Sequence, residues 1–305
     1  MNAGNDDVVG VILSVHVSAF GLSYLTKNVL PTVMASLSEA LSEFSTVIVT
    51  GGSSGIGKSF IGAMANMRPD LDFFNLSRHE PDIKDSKLKL RHFPCDLAEP
   101  MQVENAAAQL EEILSRNPSA GSVLLINNAG FGSYGPFPEP NLAHQLGIID
   151  VNVRALVQLT ARLLPVLQAR GGAVMNIAST AGFQPTPWMT TYGATKAFVL
   201  HWSLALNEDL RGSGVRVLAV CPGPTATNFS KAAGLGENTL PIIPGETCEQ
   251  VVMTSLRALA AGKSLVVSGW RNKLLALIGS LLPKPLAARI AGKVIAQHRP
   301  LPKNS

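Results

Sequence analysis

The chain has 305 residues with 25 Lys/Arg and 21 Asp/Glu, so only 15% are charged against 46% hydrophobic. An average soluble domain carries roughly 25% charged residues, and a disordered chain or a coiled coil needs more still, so both are excluded. Three cysteines (Cys95, Cys221, Cys248) without CxxC or Cys/His ligand spacing exclude a disulfide scaffold and a structural zinc site, and suggest a reducing, cytoplasmic compartment.

The N-terminus opens with an uncharged run, Val8 to Thr26, followed by Lys27. Nineteen residues are borderline for one membrane span. Ser14, His16, Ser18 and Ser23 weaken insertion, and the acidic Asp6 and Asp7 do not suit a signal peptide. Three readings stay open: a span, a peripheral helix, or a chain whose start is Met34. Residues 1–44 are set aside as an extension.

From Thr46 the pattern is regular. Short apolar segments, Thr46–Thr50, Leu71–Ser77, Leu88–Phe93, Ser122–Asn127, Ala173–Ala178, Val215–Val220 and Ser264–Ser268, read as strands. Helical periodicity follows the first strand to about Met67 and recurs near 99–116, 141–169, 188–211 and 246–262. Alternating strands and helices predict an α/β fold: one doubly wound Rossmann-type domain over 45–270, its mostly parallel sheet flanked by helices on both faces. Strands apolar on both sides account for part of the missing charge.

The turn after the first strand, Thr50-Gly-Gly-Ser-Ser-Gly-Ile-Gly-Lys-Ser59, fits two patterns. Gly52, Gly57, Lys58 and Ser59 satisfy a phosphate-binding P-loop. Gly51, Gly55 and Gly57 suit a dinucleotide-binding turn, with pyrophosphate at the helix amino end. A P-loop enzyme needs an acid at the end of a later strand to hold Mg²⁺. Here that strand ends in Asn127-Asn128-Ala129-Gly130. Tyr192 and Lys196 are four residues apart, which puts them on one helix face, and Ser179 follows a strand thirteen residues earlier.

These motifs in order, TGGSSGIG (50–57), CDL (95–97), NNAG (127–130), Asn152, Ser179, YGATK (192–196) and PGPTAT (222–227), resemble the short-chain dehydrogenase/reductase family over residues 45–270. Reducing a ketone builds negative charge on its oxygen, which needs a proton, and Tyr192 is placed to give it as general acid or to take one in reverse. A nearby Lys196 ammonium stabilises the phenolate. The resemblance implies that Lys196 also binds the nicotinamide ribose, that Ser179 orients the substrate oxygen, and that Asn152 holds a water. It further implies cofactor contacts from Gly51, Ser53, Ser54, Gly55, Ile56 and Gly57, from Asp96 and Leu97 at the adenine, and from Asn128, Ala129 and Gly130. Pro222, Gly223, Thr225 and Thr227 complete that set; Asp96 alone would read as a helix N-cap.

Cofactor choice rests on the end of the second strand. An NAD enzyme usually places an acid there for the ribose 2′-hydroxyl. Here Ser77 is followed by Arg78, whose guanidinium can pair with a 2′-phosphate, so NADP is favoured over NAD. The resemblance implies a substrate lid at 228–245, a segment of Gly, Pro and apolar residues, with Phe183, Pro187 and Trp188 able to form the facing wall, which suggests a hydrophobic or lipid-like carbonyl or alcohol. The alternative is a non-catalytic NADP-binding or scaffold protein on the same fold.

Charge is distributed unevenly. Residues 1–249 balance to −5, whereas 250–305 hold nine Lys/Arg and no acid. The tail, 271–305, contains Lys273-LLALIGSLLP-Lys284, too short to span. It continues with Leu286, Ile290 and Val294 on one face, beside Arg289 and Lys293. That pattern fits an interfacial helix with peripheral membrane contact, a cover over the pocket mouth, or a homo-oligomer contact. Nucleic acid is not expected, for want of an interleaved aromatic platform.

Overall fold

The computed structural model describes residues 30–116, 121–227, 229, 233 and 245–298. The chain divides into two compact units, Met1–Leu41 and Ser42–Ser305. In the first, residues Leu30–Ala40 form helix α1. The uncharged run at 8–26 lies outside the described residues.

The larger unit alternates strand and helix as the apolar pattern requires. It runs β1 (Phe44–Thr50), α2 (Gly55–Met67), β2 (Asp72–Ser77), β3 (Lys89–Pro94), α3 (Pro100–Ser115), β4 (Ser122–Asn127) and α4 (Leu142–Ile149). A π-helical turn (Asp150–Arg154) leads into α5 (Ala155–Arg170), then β5 (Gly172–Ile177) and a short 3₁₀ turn (Thr180–Gly182). The chain continues as α6 (Thr190–Asp209), β6 (Val215–Cys221), α7 (Cys248–Ala260), β7 (Leu265–Val267), α8 (Trp270–Leu281) and α9 (Lys284–His298). All seven strands are parallel, in the order β3-β2-β1-β4-β5-β6-β7. This is the doubly wound arrangement, and its order reverses between β1 and β4, where such folds open a crevice at the strands' carboxyl ends.

Burial explains why the strands read so plainly. Every residue of β5 is buried, as are the last five of β1 and of β4. One face of the sheet, through Ile48, Leu125, Val174 and Val217, packs on Leu110 and Leu114 of α3 and on Leu159, Leu163 and Leu167 of α5. Helix α2 buries Gly57, Phe60, Ile61, Met64 and Ala65, spaced as one apolar stripe. Helix α7 begins with a capping box, Thr247 with Gln250, which satisfies otherwise unpaired N–H groups.

One feature departs from the sequence expectation. The stretch 141–169 is not one helix: the π-helical turn interrupts it and carries the buried Asn152. Periodicity cannot register one widened turn, and such turns are frequent at functional sites. The tail beyond 270 is two helices that meet the same unit. A Cβ at Gly279 of α8 would come 2.5 Å from the Gln184 side chain, and one at Gly292 of α9 would come 3.4 Å from Pro187.

Helix α6 is set close to the loop before it. A Cβ on Gly193 would stand 1.7 Å from Thr186 Oγ1, and one on Gly182 would stand 2.7 Å from the Lys196 carbonyl oxygen. Gly193→Ala should therefore lower stability by about 1–3 kcal/mol. Removing the hydroxyl with Thr186→Ala in the same chain should recover part of that loss, read from urea unfolding midpoints.

Candidate functional site

Four segments converge at the carboxyl ends of β4, β5 and β6. The π-helical turn delivers Asn152, whose Oδ1 accepts from Phe131 N (3.1 Å) while Nδ2 donates to Phe131 O and Thr195 Oγ1 (both 3.0 Å). Thr195 Oγ1 donates in turn to the Tyr192 carbonyl (2.7 Å). Lys196 is buried, its Nζ donating to Ile177 O (2.7 Å) and lying 5.8 Å from the centroid of the Tyr192 ring. Ser179 stands just beyond β5, its Oγ accepting from Ala181 N (3.1 Å) at the 3₁₀ turn that packs on α6. Gly130 keeps the centre open, since a Cβ there would lie 3.1 Å from Asn152 Oδ1 and 3.3 Å from Lys196 Nζ.

The glycine turn is braced from two sides. Gly51 and Gly55 adopt positive φ (68° and 54°), which a residue with a Cβ resists. Asn128 donates through Nδ2 to Thr50 O (3.0 Å) and Gly51 O (3.2 Å), and the N–H groups of Asn128 and Ala129 both donate to Thr50 Oγ1 at 3.0 Å. On the other side Gly52 N donates to Asn75 Oδ1 (2.8 Å). Asn75 Nδ2 donates to Ser77 Oγ (2.8 Å), and Ser77 donates to His79 O (2.7 Å). Arg78 is exposed at the end of β2, with no ion pair among the described residues.

Asp96 differs from a helix N-cap. Its Oδ1 accepts from Ala98 N (2.9 Å), while Glu99 holds the cap position of α3 ahead of Pro100. Leu97 beside it is buried. Beyond β6, Pro222 O accepts from Thr180 N (2.9 Å), Thr225 Oγ1 donates to Gly223 O (3.0 Å) and Thr227 Oγ1 accepts from Phe229 N (3.2 Å).

A family model for short chain dehydrogenases matches residues 45–238. The chain belongs to the short-chain dehydrogenase/reductase family. It is 32% identical over 185 residues to the ketoacyl reductase HetN of Nostoc sp., a match covering 58% of this chain and 62% of that protein. It is 29% identical over 253 residues to a very-long-chain 3-oxoacyl-CoA reductase of Rattus norvegicus, covering 78% of this chain and 75% of that one. Among solved structures, a short-chain dehydrogenase from Sphingobium yanoikuyae in complex with NADPH aligns with a TM-score of 0.65 and 31% identity, covering 78% of this chain and 93% of that one.

The residues of this dehydrogenase fit a dinucleotide. Ser54 is the N-cap of α2 and its side chain makes no cap hydrogen bond, so the first N–H groups of the helix are left for an anion at the turn. A Cβ on Gly55 would come 3.3 Å from Thr227 Cγ2, so the glycine turn and the loop after β6 close on one another. A cavity of about 470 Å³ opens beside both, lined also by Lys58, Ser59, Ala226, Cys248 and Glu249. No acid occupies the end of β2.

The substrate side is apolar. Tyr134, Met189, Tyr192 and Ala233 form a buried cluster, joined by Trp188, Phe229 and, from α9, Ile295. Phe229 and Ala233 belong to the expected lid, most of which lies outside the described residues. Of the expected wall, Trp188 sits here; Phe183 packs with a different cluster around Leu156 and Val199, and Pro187 lies against α9. Trp188 is the one non-glycine residue with positive φ (67°) among the described residues, and its indole Nε1 is buried without a hydrogen-bond partner among them. Holding a bulky residue there and orphaning a donor each costs about 1–3 kcal/mol.

Sequence reading missed two supports. Thr195, inside YGATK, bridges Asn152 to the α6 backbone, and nothing in a short hydroxyl residue announces that. Asn272 of α8 is buried on Gly223, where a Cβ would meet it at 2.3 Å, and donates to Glu246 Oε2 (3.1 Å) and Ser268 O (2.8 Å). It lies within the segment that reads as a separate basic tail.

Burial brings the Lys196 ammonium down from 10.5 to about 8. Below pH 8 folded and unfolded chains are both protonated and the full burial penalty applies. Between about 8 and 10.5 the unfolded chain holds more protons, so this group's contribution to stability rises with pH. The buried thiols of Cys95 and Cys221, pushed up to about 11 and about 12, act in the opposite direction. The difference in unfolding free energy between wild type and Lys196→Met should therefore grow in favour of wild type by about 3 kcal/mol across that window. Denaturant titrations at pH 7.5 to 10.5 measure it.

Proposed function

We propose that this short-chain dehydrogenase is an NADP-dependent oxidoreductase interconverting a ketone and a secondary alcohol on a hydrophobic, lipid-like substrate. The observation that carries it is the buried Lys196 ammonium beside the Tyr192 ring, with Asn152 and the bare Gly130 in front. Bound NADPH supplies the hydride. Tyr192 gives its phenolic proton to the carbonyl oxygen as negative charge builds there, and takes a proton back in the oxidative direction. Lys196 stabilises the phenolate left behind, its charge acting strongly because the ammonium is buried. Ser179 orients the substrate oxygen, while Asn152 holds a water that links Lys196 to solvent.

The cofactor would be held by Gly51 to Gly57 and the α2 amino end at its pyrophosphate, by Asp96 and Leu97 at its adenine, and by Asn128 to Gly130. Pro222, Gly223, Thr225 and Thr227 would hold its nicotinamide end. Ser77 in place of an acid, with Arg78 exposed beside it, supports NADP over NAD. The relative that is 31% identical was solved with NADPH. For the substrate, the support is the apolar cluster at Tyr192, together with two relatives whose names specify ketoacyl and 3-oxoacyl-CoA reduction. A hydrophobic 3-oxoacyl chain is the substrate class to test first.

Tyr192→Phe should cut kcat for reduction of a hydrophobic 3-oxo ester by about 100- to 10,000-fold with NADPH binding retained, and an undiminished rate refutes the acid role. Arg78→Glu should lower the preference for NADPH over NADH by about 100-fold, because a charge-assisted bond is lost and a repulsion gained. Equal ratios of kcat/KM in wild type and variant refute the assignment.

A further inference from the structure

Helix α8 has the wrong residues inside. Its buried positions are Asn272, Ala276 and Gly279, spaced to form one stripe of small or polar groups against the body. The opposite stripe is Trp270, Leu274, Leu277, Ile278 and Leu281, all exposed, with Trp270 at 70% and Leu281 at 75%. Leu275, and Leu286 and Ile290 on α9, extend the surface. Eight of the fourteen exposed large apolar side chains among the described residues thus lie on two consecutive helices. Single exposed leucines are ordinary, whereas a contiguous set marks an interaction surface.

The charges around the stripe say what it meets. Arg271, Lys273, Lys284, Arg289 and Lys293 are all exposed on α8 and α9, and none forms an ion pair among the described residues. No acid occurs in the last 56 residues. A symmetric pairing of two copies through this face would set cations against cations, because a two-fold interface presents the same patch from both sides. An apolar stripe edged by unpaired cations complements acyl chains beneath anionic headgroups. No described helix is long and apolar enough to cross a membrane.

We propose that α8 and α9 form a docking face for an anionic lipid bilayer. The stripe enters the headgroup–acyl boundary and the five cations meet the headgroups. The same helices touch the substrate side: Ile295 joins the cluster around Tyr192, Gly292 lies against Pro187, and Lys284 Nζ donates to Phe183 O (3.1 Å). Docking therefore holds the apolar side of the site close to the lipid. The surface argument stands without the enzymatic reading, and its test reads binding rather than turnover.

The full-length protein is floated with vesicles of phosphatidylcholine mixed with phosphatidylserine, and with phosphatidylcholine alone. Binding to the mixed vesicles should exceed that to the neutral ones by about tenfold or more, given five cations at the surface. Leu277→Glu with Leu281→Glu should lower binding to mixed vesicles by at least about tenfold, and Lys273→Glu with Arg289→Glu should remove most of the preference for anionic lipid. All four side chains are exposed, so thermal unfolding by circular dichroism should be unchanged and rules out misfolding. The proposal is overturned if wild type fails to float, if neutral vesicles bind equally, or if the variants bind like wild type. It is equally overturned if sedimentation shows a dimer that the leucine variant dissolves while vesicles do not bind.

Discussion

The ammonium of Lys196 is buried with the Ile177 carbonyl as its hydrogen-bond partner, and it is the sole charged side chain in the core among the described residues. Burying an ion costs several kcal/mol even after relaxation, and the depressed pKa expresses that cost. The penalty is tolerable because the position is fixed from several directions. Strand β5 supplies the carbonyl, Gly182 presses on the Lys196 backbone, and Gly193 lets α6 close on Thr186. A cation held this way cannot relax toward solvent, so its field falls on the Tyr192 ring beside it.

Polar side chains do the corresponding work in the sheet. Asn127 on β4 donates through Nδ2 to Asn176 Oδ1 on β5 (2.8 Å) and to Thr160 Oγ1 on α5 (3.0 Å). Asn176 Nδ2 donates to Ser203 Oγ on α6 (2.9 Å). The chain of bonds runs from α5, across two neighbouring buried strands, to α6 on the same face of the sheet. Apolar packing sets which faces meet but slides at little cost, whereas a buried hydrogen bond loses its worth if displaced. Such a pin keeps α6, with Tyr192 and Lys196, in register with the strand ends.

The low charge count follows from this architecture and from the surface. Central parallel strands buried on both faces need no charge. Helix α8 adds to the effect from outside, by carrying large apolar groups where a solvent-facing helix would carry charged ones. Of the nine cations in residues 250–305, Arg271, Lys273, Lys284, Arg289 and Lys293 are exposed on α8 and α9.

Strands β1, β2 and β4 were legible to within two residues, because continuous apolar runs bounded by turns leave few alternatives. The Tyr192–Lys196 pair was legible for the same reason: four residues on a helix is a local geometry. The π-helical turn at Asn152 was not, since one inserted residue leaves the apolar pattern nearly unchanged. Nor was which face of α8 packs on the body, because Asn272 and Gly279 carry no hydrophobic signal and their fit depends on Gly223 and Gln184, far away in the chain. The sequence by itself determined the sheet, the family motifs and the chemical groups at hand. Tertiary structure alone decided that Lys196 is buried, that Thr195 ties Asn152 to α6, and that Trp188 keeps a buried N–H with no partner among the described residues. Desolvation and long-range hydrogen bonding depend on neighbours that folding brings together, and those neighbours are not adjacent in sequence.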